Sequence, residues 1–342
     1  MVLSISILVF SAALAAILGF AAHRANICTV KAVAEILTTG HAYMLISFGK
    51  TVLWVILITL AWSWTVSSIA VVHWKLSYLS IIGGFLFGVG ATLNGGCAFS
   101  MLAKLATGKL AQILTLGGLA IGAVGFLLFA PEAAIPVAKL SENSVFQQEN
   151  WSAVLGVGLA VWAVWEITRM WRRRTGSMFI GARIFSKHYS LSMAAILIGV
   201  SNAVLYTIYG TWAYTSVLNS GIKQLLGDFG PIEPIYWILF VSLFLGMTIS
   251  AWQSRTFALE WRPALSWMRQ FLGGVLMGLG VAMVPGGNDV LILNGIPSLS
   301  PHAIPAYLAV IAGIAATLLT IRWTGGTIET INCSGDVCVV RK

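Results

Sequence analysis

Long apolar runs recur along the whole chain and are separated by short polar connections. A run of about 20 apolar residues is long enough to cross the hydrocarbon core of a bilayer as a helix. The pattern predicts about nine membrane-spanning helices, near residues 2–20, 43–65, 76–94, 108–130, 151–169, 190–208, 233–254, 270–285 and 303–321. We therefore expect an all-α integral membrane protein.

Four shorter stretches between these runs are too short or too broken to cross a membrane alone. Each follows a predicted span and is opened by Gly, Pro, Asn or Cys. They lie near residues 28–39, 97–107, 211–226 and 288–299. Broken helices at membrane depth are tolerated where the freed backbone groups face protein or a wet cavity. We therefore predict four short re-entrant helices in addition to the spans.

Composition supports the membrane and excludes nucleic acid as a partner. Hydrophobic residues make up 58% of the chain and charged residues 9%, with a mean hydropathy of +0.89, whereas soluble domains carry about a quarter charged residues. The net charge of +9 comes from basic residues in a few short connections rather than from a basic stripe. That distribution is typical of membrane topology signals.

The positions of Lys and Arg predict the orientation, because cytoplasmic loops are enriched in both. Basic clusters follow the fifth, seventh and ninth predicted spans. Nine spans then place the N-terminus outside and the C-terminus in the cytoplasm, as a multi-pass protein of the inner membrane. No basic residue precedes the first apolar run, so we interpret it as a retained helix rather than a signal peptide.

The chain repeats a glycine pattern. Residues 83–97 read GGFLFGVGATLNGGC, and residues 273–288 read GGVLMGLGVAMVPGGN. Five spans separate the corresponding helices, and an odd number predicts two inverted repeats, as in many transporters. Ordinary close packing of small residues is the structural alternative. The predicted divisions are a first transmembrane repeat, a basic cytoplasmic connection, a second repeat and a cytoplasmic tail, at 1–170, 171–189, 190–323 and 324–342.

Two glycine pairs break helices at membrane depth and supply candidate site residues. A short helix beginning near Cys97 would direct unpaired N–H groups and the positive end of its dipole into a cavity, where they attract anions. A buried cysteine is usually inert packing, but at such a helix start we favour a functional role. The candidate pathway residues of these two breaks are Asn94, Gly95, Gly96, Cys97, Gly286, Gly287 and Asn288.

A second constellation, Arg24, Asn26 and Cys28, lies between a predicted span and a short helix. Arg24 is either a topology anchor or a group that draws an anion to the inner opening. Cys333 and Cys338 lie in the predicted cytoplasmic tail, where we expect two free thiols rather than a stable disulfide. No zinc, Walker or hydrolase motif is present, so we expect no cofactor and no enzyme.

At these residues the chain resembles the YeeE/YedE family of bacterial sulphur-compound transporters, whose characterised members take up thiosulfate. The resemblance covers essentially the full length, and the Gly-Gly-Cys hairpin ending at Cys97 is its most specific element. It implies an hourglass-shaped protein with a central constriction, where Cys28 and Cys97 relay the anion through S–H contacts. It also implies a small cytoplasmic sulphur-carrier protein as a partner.

The second hairpin departs from the family, which has a third essential cysteine where this chain has Asn288. An amide binds oxyanion oxygens but is a poor mimic of a polarizable thiol, so thiosulfate, sulfite, a selenium anion and a persulfide-type sulphur stay open as substrates. We expect ATP-independent uptake of a small inorganic sulphur anion. The alternatives are a membrane sensor that reports through its tail and a membrane thiol oxidoreductase, for which no cofactor site is recognisable.

Overall fold

The computed structural model describes residues 5–66, 71–130, 138–141, 149–172, 186, 188–225, 233–261, 266–334 and 336–341. Nine long helices run through this part of the chain. They are α1 (Ile5–Ala25), α3 (Tyr43–Thr65), α4 (Tyr78–Asn94), α6 (Gln112–Phe129), α7 (Glu149–Arg172), α8 (Leu191–Tyr209), α10 (Pro234–Gln253), α11 (Ser266–Met283) and α13 (Ala303–Trp323). Each lies where the hydrophobic pattern predicts a span.

The four short helices lie where the broken stretches are predicted. They are α2 (Thr29–Thr39), α5 (Ala98–Ala106), α9 (Tyr214–Leu225) and α12 (Asn288–Val290), which continues as a π-helix at Leu291–Gly295. Eight helical segments are long and apolar enough to cross a membrane, and α11 with α12 forms a ninth candidate, bent by 45°. The prediction of an all-α multi-pass membrane protein is confirmed.

Two small antiparallel ribbons lie outside the helices and were not predicted. β1 (Val71–Trp74) pairs with β2 (Ala138–Ser141), and β3 (Thr330–Ser334) pairs with β4 (Val337–Arg341). β1 and β4 are rich in Val, which favours strands, but at four or five residues each the four strands are too short for periodicity to reveal. The first ribbon lies in two connections between helices, whereas the second lies in the tail after α13 and buries Ile331 and Cys338 in the core.

The helices before α7 and those after it pack in the same way. Helix α1 packs against α10 while α8 packs against α3, and α4 packs against α13 while α6 lies alongside α11. If α1–α6 are matched in order with α8–α13, each of these contacts has an equivalent. The contact of α1 with α10 corresponds to that of α8 with α3, and the contact of α4 with α13 corresponds to that of α11 with α6. Helix α7 has no counterpart in this matching of helices, and it packs against α3.

The repeated glycines form the closest helix contacts. A Cβ added at Gly88 of α4 would lie 2.2 Å from the carbonyl oxygen of Val310 in α13. The equivalent Gly278 of α11 approaches the carbonyl oxygen of Leu119 in α6, with a corresponding distance of 2.1 Å. The repeated pattern is therefore a pair of equivalent packing surfaces, because only glycine lets the backbones approach this closely.

Helices α4 and α11 cross each other in opposite directions. Gly83, near the start of α4, lies against Gly280 near the end of α11, and Gly90 lies against Gly273 near the start of α11. The two copies of the glycine pattern thus contact each other directly at the centre of the bundle.

Contacts between connections sort them onto two ends of the bundle. At one end, Arg24 in the last turn of α1 bonds to Gln253 at the end of α10 and to the carbonyl of Ser186 before α8. At the other end, His73 bonds to the carbonyl oxygen of Ser298, 2.8 Å away. The connections that contain Ser186 and follow α10 therefore lie together, as do those that contain His73 and Ser298.

Candidate anion pathway at the helix breaks

Cys28 and Cys97 lie side by side at the starts of two short helices. Each occupies the position immediately before the first turn, of α2 and α5 respectively. The backbone N–H of Cys97 donates a hydrogen bond to the Cys28 sulphur over 3.3 Å. Both residues are buried. The two cysteines singled out in the sequence therefore meet inside the protein.

Asn288 joins the same place from the second half of the chain. It opens α12 and is fully buried, and its side-chain amide donates to the hydroxyl oxygen of Thr29 over 3.0 Å. Thr29 follows Cys28 directly. We call Cys28, Thr29, Cys97 and Asn288 the central cluster. The two glycine-broken segments thus meet there.

The glycines and Asn94 shape the turns that bring the cluster together. Gly95 and Gly286 have positive φ angles of 73° and 130°, which glycine adopts without strain. The Asn94 amide donates to the Gly96 carbonyl over 3.0 Å, while its oxygen accepts from Thr115 over 2.8 Å. These hydrogen bonds stabilise the turn that precedes Cys97.

Gly96 and Gly287 leave no room for a side chain. A Cβ at Gly96 would lie 2.6 Å from the Ser100 hydroxyl oxygen, and one at Gly287 would lie 2.6 Å from a carboxylate oxygen of Asp289. The second glycine of each pair, Gly96 or Gly287, therefore lets the following short helix pack closely against the turn that precedes it.

Arg24 and Asn26 lie beside the cluster rather than in it. The guanidinium of Arg24 donates to Ser250 over 3.1 Å and to Gln253 over 2.6 Å, and it is buried. Asn26 accepts from Lys31 over 2.5 Å. No hydrogen-bond partner that the structure shows for Arg24 is a member of the central cluster, and its partners tie α1 to α10.

The sequence reasoning missed two polar residues next to the cluster. Asp289 is fully buried and accepts hydrogen bonds from Thr215, from its hydroxyl over 2.6 Å and from its backbone N–H over 3.2 Å. An acid that opens a short helix inside an apolar region is the signal that could have revealed it. Tyr214, the first residue of α9, packs its ring edge-on against Phe99 at 5.6 Å between centroids.

Two buried polar atoms near the cluster are available to a ligand. Among the described residues, neither the side-chain oxygen of Asn288 nor the hydroxyl of Tyr214 has a hydrogen-bond partner. A small, mostly apolar cavity shares Phe99 with Tyr214 as a neighbour; it is lined by Ala22, Ile27, Phe48, Thr51, Phe99, Ile198, Ile292 and Leu293. The central cluster thus brings two thiols and a side-chain amide together inside the protein.

The tail differs from the expectation of two free thiols. Cys333 and Cys338 are joined as a disulfide between β3 and β4. They are directly opposite each other in the antiparallel ribbon, with Cα atoms 4.0 Å apart. This pairing brings the thiols together whatever the compartment, which is why reasoning from compartment alone was wrong.

A family model described as "Sulphur transport" matches residues 24–316, most of the chain and all of the central cluster. The chain belongs to this sulphur transport family. It is also 28% identical over 238 residues to the thiosulfate transporter TsuA of Escherichia coli (strain K12). That match covers 62% of this chain and 65% of TsuA, slightly less than two thirds of the relative's length. The resemblance to the YeeE/YedE family is confirmed.

Proposed function

We propose that the protein carries a small inorganic sulphur anion across the inner membrane, with thiosulfate as the first candidate. The observation that carries the proposal is the meeting of Cys28, Cys97 and Asn288 at one buried point. Three of the four short helices, α2, α5 and α12, begin there. Helix N-termini attract anions through their free N–H groups and their dipole.

The chemistry of the cluster suits an ion with a sulphur end and an oxygen end. The thiols of Cys28 and Cys97 are polarizable groups that contact a terminal sulphur. The amide of Asn288 has two N–H donors, of which one bonds to Thr29, so the other is free for an oxyanion oxygen. The ion passes from Asn288 to Cys97 and then to Cys28 without a covalent intermediate.

The packing of the helices supports two inverted halves around this passage. Under this proposal residues 1–170 and 190–323 form the halves, 171–189 the cytoplasmic connection and 324–342 the tail. The equivalent glycine contacts and the opposite directions of α4 and α11 are what inverted repeats would give. The central position of the cluster is consistent with an hourglass shape and a single constriction.

The proposed orientation has the N-terminus outside and the C-terminus in the cytoplasm. Its support is the excess of Lys and Arg in the connections that follow the fifth, seventh and ninth predicted spans. The chain carries no nucleotide-binding motif, so transport without ATP is the simplest scheme. A small cytoplasmic sulphur-carrier protein docking on these basic connections would receive the ion.

The test uses purified protein in liposomes loaded with unlabelled thiosulfate. Exchange of external radiolabelled thiosulfate is measured, with sulfite and selenite as competitors. We expect exchange by the wild type and its loss in Cys97→Ala. The matched control, Cys333→Ala with Cys338→Ala, removes two cysteines outside the cluster and should retain exchange. Wild-type exchange by a correctly inserted Cys97→Ala protein would remove Cys97 from the mechanism.

One observation favours a sensor as the second candidate. Strand β3 of the tail packs against α2, which begins at Cys28, so the tail contacts an element of the central cluster. Deleting residues 324–342 separates the two functions. Lost uptake argues for transport, whereas retained uptake with lost gene induction argues for sensing.

A further inference from the structure

Asp289 is a buried acid beside the central cluster, and the mechanism above does not use it. Its exposed fraction is 0%, and it directly follows Asn288. In the described part of the chain the salt bridges are made by Glu166, with Lys50 and Arg169. Asp289 is not in one. Unpaired acids at membrane depth are rare and usually belong to ion or proton pathways.

The contacts of Asp289 are with neutral donors. Thr215 donates to both of its carboxylate oxygens, one bond from the hydroxyl and one from the backbone N–H. The N–H of Gly287 donates in turn to the Thr215 hydroxyl oxygen over 3.1 Å. The carboxyl group therefore joins the starts of α9 and α12, and its proton content is not fixed by a cationic partner.

Among the described residues, no salt bridge or side-chain hydrogen bond connects a basic group to the Asp289 carboxylate. The elements that pack against α12 are α3, α5, α8, α9 and α13. The charged or titratable groups on these elements include Lys50 of α3, Lys104 of α5, Tyr206 of α8, Tyr214 and Lys223 of α9, Tyr307 and Arg322 of α13, and Cys97 ahead of α5. Lys50 is bonded to Glu166 and Ser192, and Lys104 donates to the Gly95 carbonyl oxygen over 2.7 Å, so the hydrogen bonds that the structure shows for these two lysines go to other partners.

The equivalent break in the first half starts its short helix without an acid. Cys97 and Asn288 occupy equivalent places in the repeated pattern, so the counterpart of Asp289 is Ala98. Helix α5 begins at Ala98 without a carboxylate in its first turn. Starting the short helix therefore does not by itself require an acid at position 289.

Uptake of a divalent anion creates a physical need for a coupled cation. Two negative charges moving inward against an inside-negative potential of about 100 mV lower the accumulation ratio by about three orders of magnitude. A negatively charged Asp289 beside the anion would add repulsion, whereas a protonated one would not. Binding of the anion and binding of a proton to Asp289 therefore favour each other, and this coupling is reciprocal.

We propose that Asp289 is a proton-coupling site of the transporter. An external proton binds to the carboxylate as the sulphur anion enters the central cluster, and both leave on the cytoplasmic side. No covalent bond to the anion forms or breaks. This proposal rests on the proposed function, since it assigns the coupling ion of the same passage.

The experiment compares two modes of transport in liposomes that contain the purified full-length protein. Exchange of radiolabelled against unlabelled thiosulfate needs no net driving force, whereas accumulation under an outside-acidic pH gradient does. We expect wild-type protein to show both activities and Asp289→Asn to keep exchange while losing about tenfold or more of the gradient-driven accumulation. Glu260→Gln, a change of an exposed acid in the connection after α10, is the matched control and should behave like the wild type.

A second measurement on wild-type protein stands even if Asp289→Asn fails to fold. A pH dye inside the liposomes should report acidification when external thiosulfate is added. Exchange without acidification, or accumulation driven by a sodium gradient instead, would overturn the proton proposal while leaving transport intact. Gradient-driven accumulation by Asp289→Asn equal to wild type would also overturn it. Absence of any sulphur-anion exchange by the wild type would instead mean that the proposed function is wrong.

Discussion

The side-chain amide of Asn288 donates a hydrogen bond to Thr29 across 3.0 Å, although 259 positions separate the two residues in the sequence. This contact joins the start of α12 to the start of α2. It makes Asn288 the second half's contribution to a cluster whose cysteines both come from the first half. Substrate preference should therefore depend on this side chain.

Replacement of Asn288 by cysteine should shift selectivity toward thiosulfate. A thiol gives up the amide donor for oxyanion oxygens but adds a polarizable contact for a terminal sulphur. We expect Asn288→Cys to raise the ratio of thiosulfate to sulfite uptake, and Asn288→Ala to lower uptake of both. Asn219→Cys changes an amide of α9 outside the cluster and should leave the ratio unchanged. An unaltered ratio in Asn288→Cys would show that this side chain does not contact the ion.

The two cysteines should differ in their contribution to stability. Cys28 accepts the backbone N–H of Cys97, so Cys28→Ala leaves that buried donor without a partner, at a cost of about 1–3 kcal/mol. Cys97→Ala keeps the same N–H and its acceptor. We expect both variants to lose transport, but only Cys28→Ala to show a clearly lower free energy of unfolding in detergent. Equal stabilities would mean that the contact contributes nothing to the fold.

The hydrophobic pattern was sufficient for the positions of the helices because a membrane imposes a length of about 20 apolar residues on each span. Glycine pairs were sufficient for the breaks at Cys97 and Asn288, since both turns need positive φ at a first glycine. The pairing of Cys28 with Cys97 is different. It depends on how α1 and α5 pack, and nothing local in either segment encodes that distance.

Asp289 and the tail disulfide show the two limits of reading the sequence. Asp289 was overlooked because a single acid after a glycine turn resembles an ordinary helix start; only its complete burial distinguishes it. Cys333 and Cys338 were expected as free thiols from their compartment. Their positions opposite each other in the ribbon depend on the register of β3 and β4, which two strands of five residues do not reveal.

The glycines of α6 provide a test of the packing surfaces within one helix. A Cβ at Gly122 would lie 2.1 Å from the Val275 carbonyl oxygen, whereas one at Gly125 would meet nothing within 4 Å. We expect Gly122→Ala to lose about 1–3 kcal/mol or more through overpacking. Gly125→Ala should be neutral or gain up to about 1 kcal/mol from its higher helix propensity. Denaturant titration of the two purified variants measures both effects, and similar stabilities would contradict the close approach of α6 and α11.

Helix α7 has no counterpart among the other helices, and a buried ion pair connects it to α3. Lys50 of α3 bonds to Glu166 of α7 and, over 2.7 Å, to the hydroxyl of Ser192 in α8. The Glu166 side chain is 1% exposed and that of Lys50 is 16% exposed. Removing one partner leaves the other charge buried, which costs about 3–5 kcal/mol. We therefore expect Lys50→Met and Glu166→Gln each to unfold at clearly lower denaturant concentration.

The double variant distinguishes the pair from either residue alone. An apolar pair of similar volume avoids the unpaired charge and is often as stable as the buried salt bridge, so Lys50→Met combined with Glu166→Leu should recover most of the lost stability. Arg169→Met is the control, because Arg169 approaches Glu166 only to 4.0 Å and its side chain is 41% exposed. We expect it to change stability by less than about 1 kcal/mol. If the double variant also recovers thiosulfate exchange, the ion pair serves the fold; if exchange stays absent while stability returns, Lys50 or Glu166 takes part in transport itself.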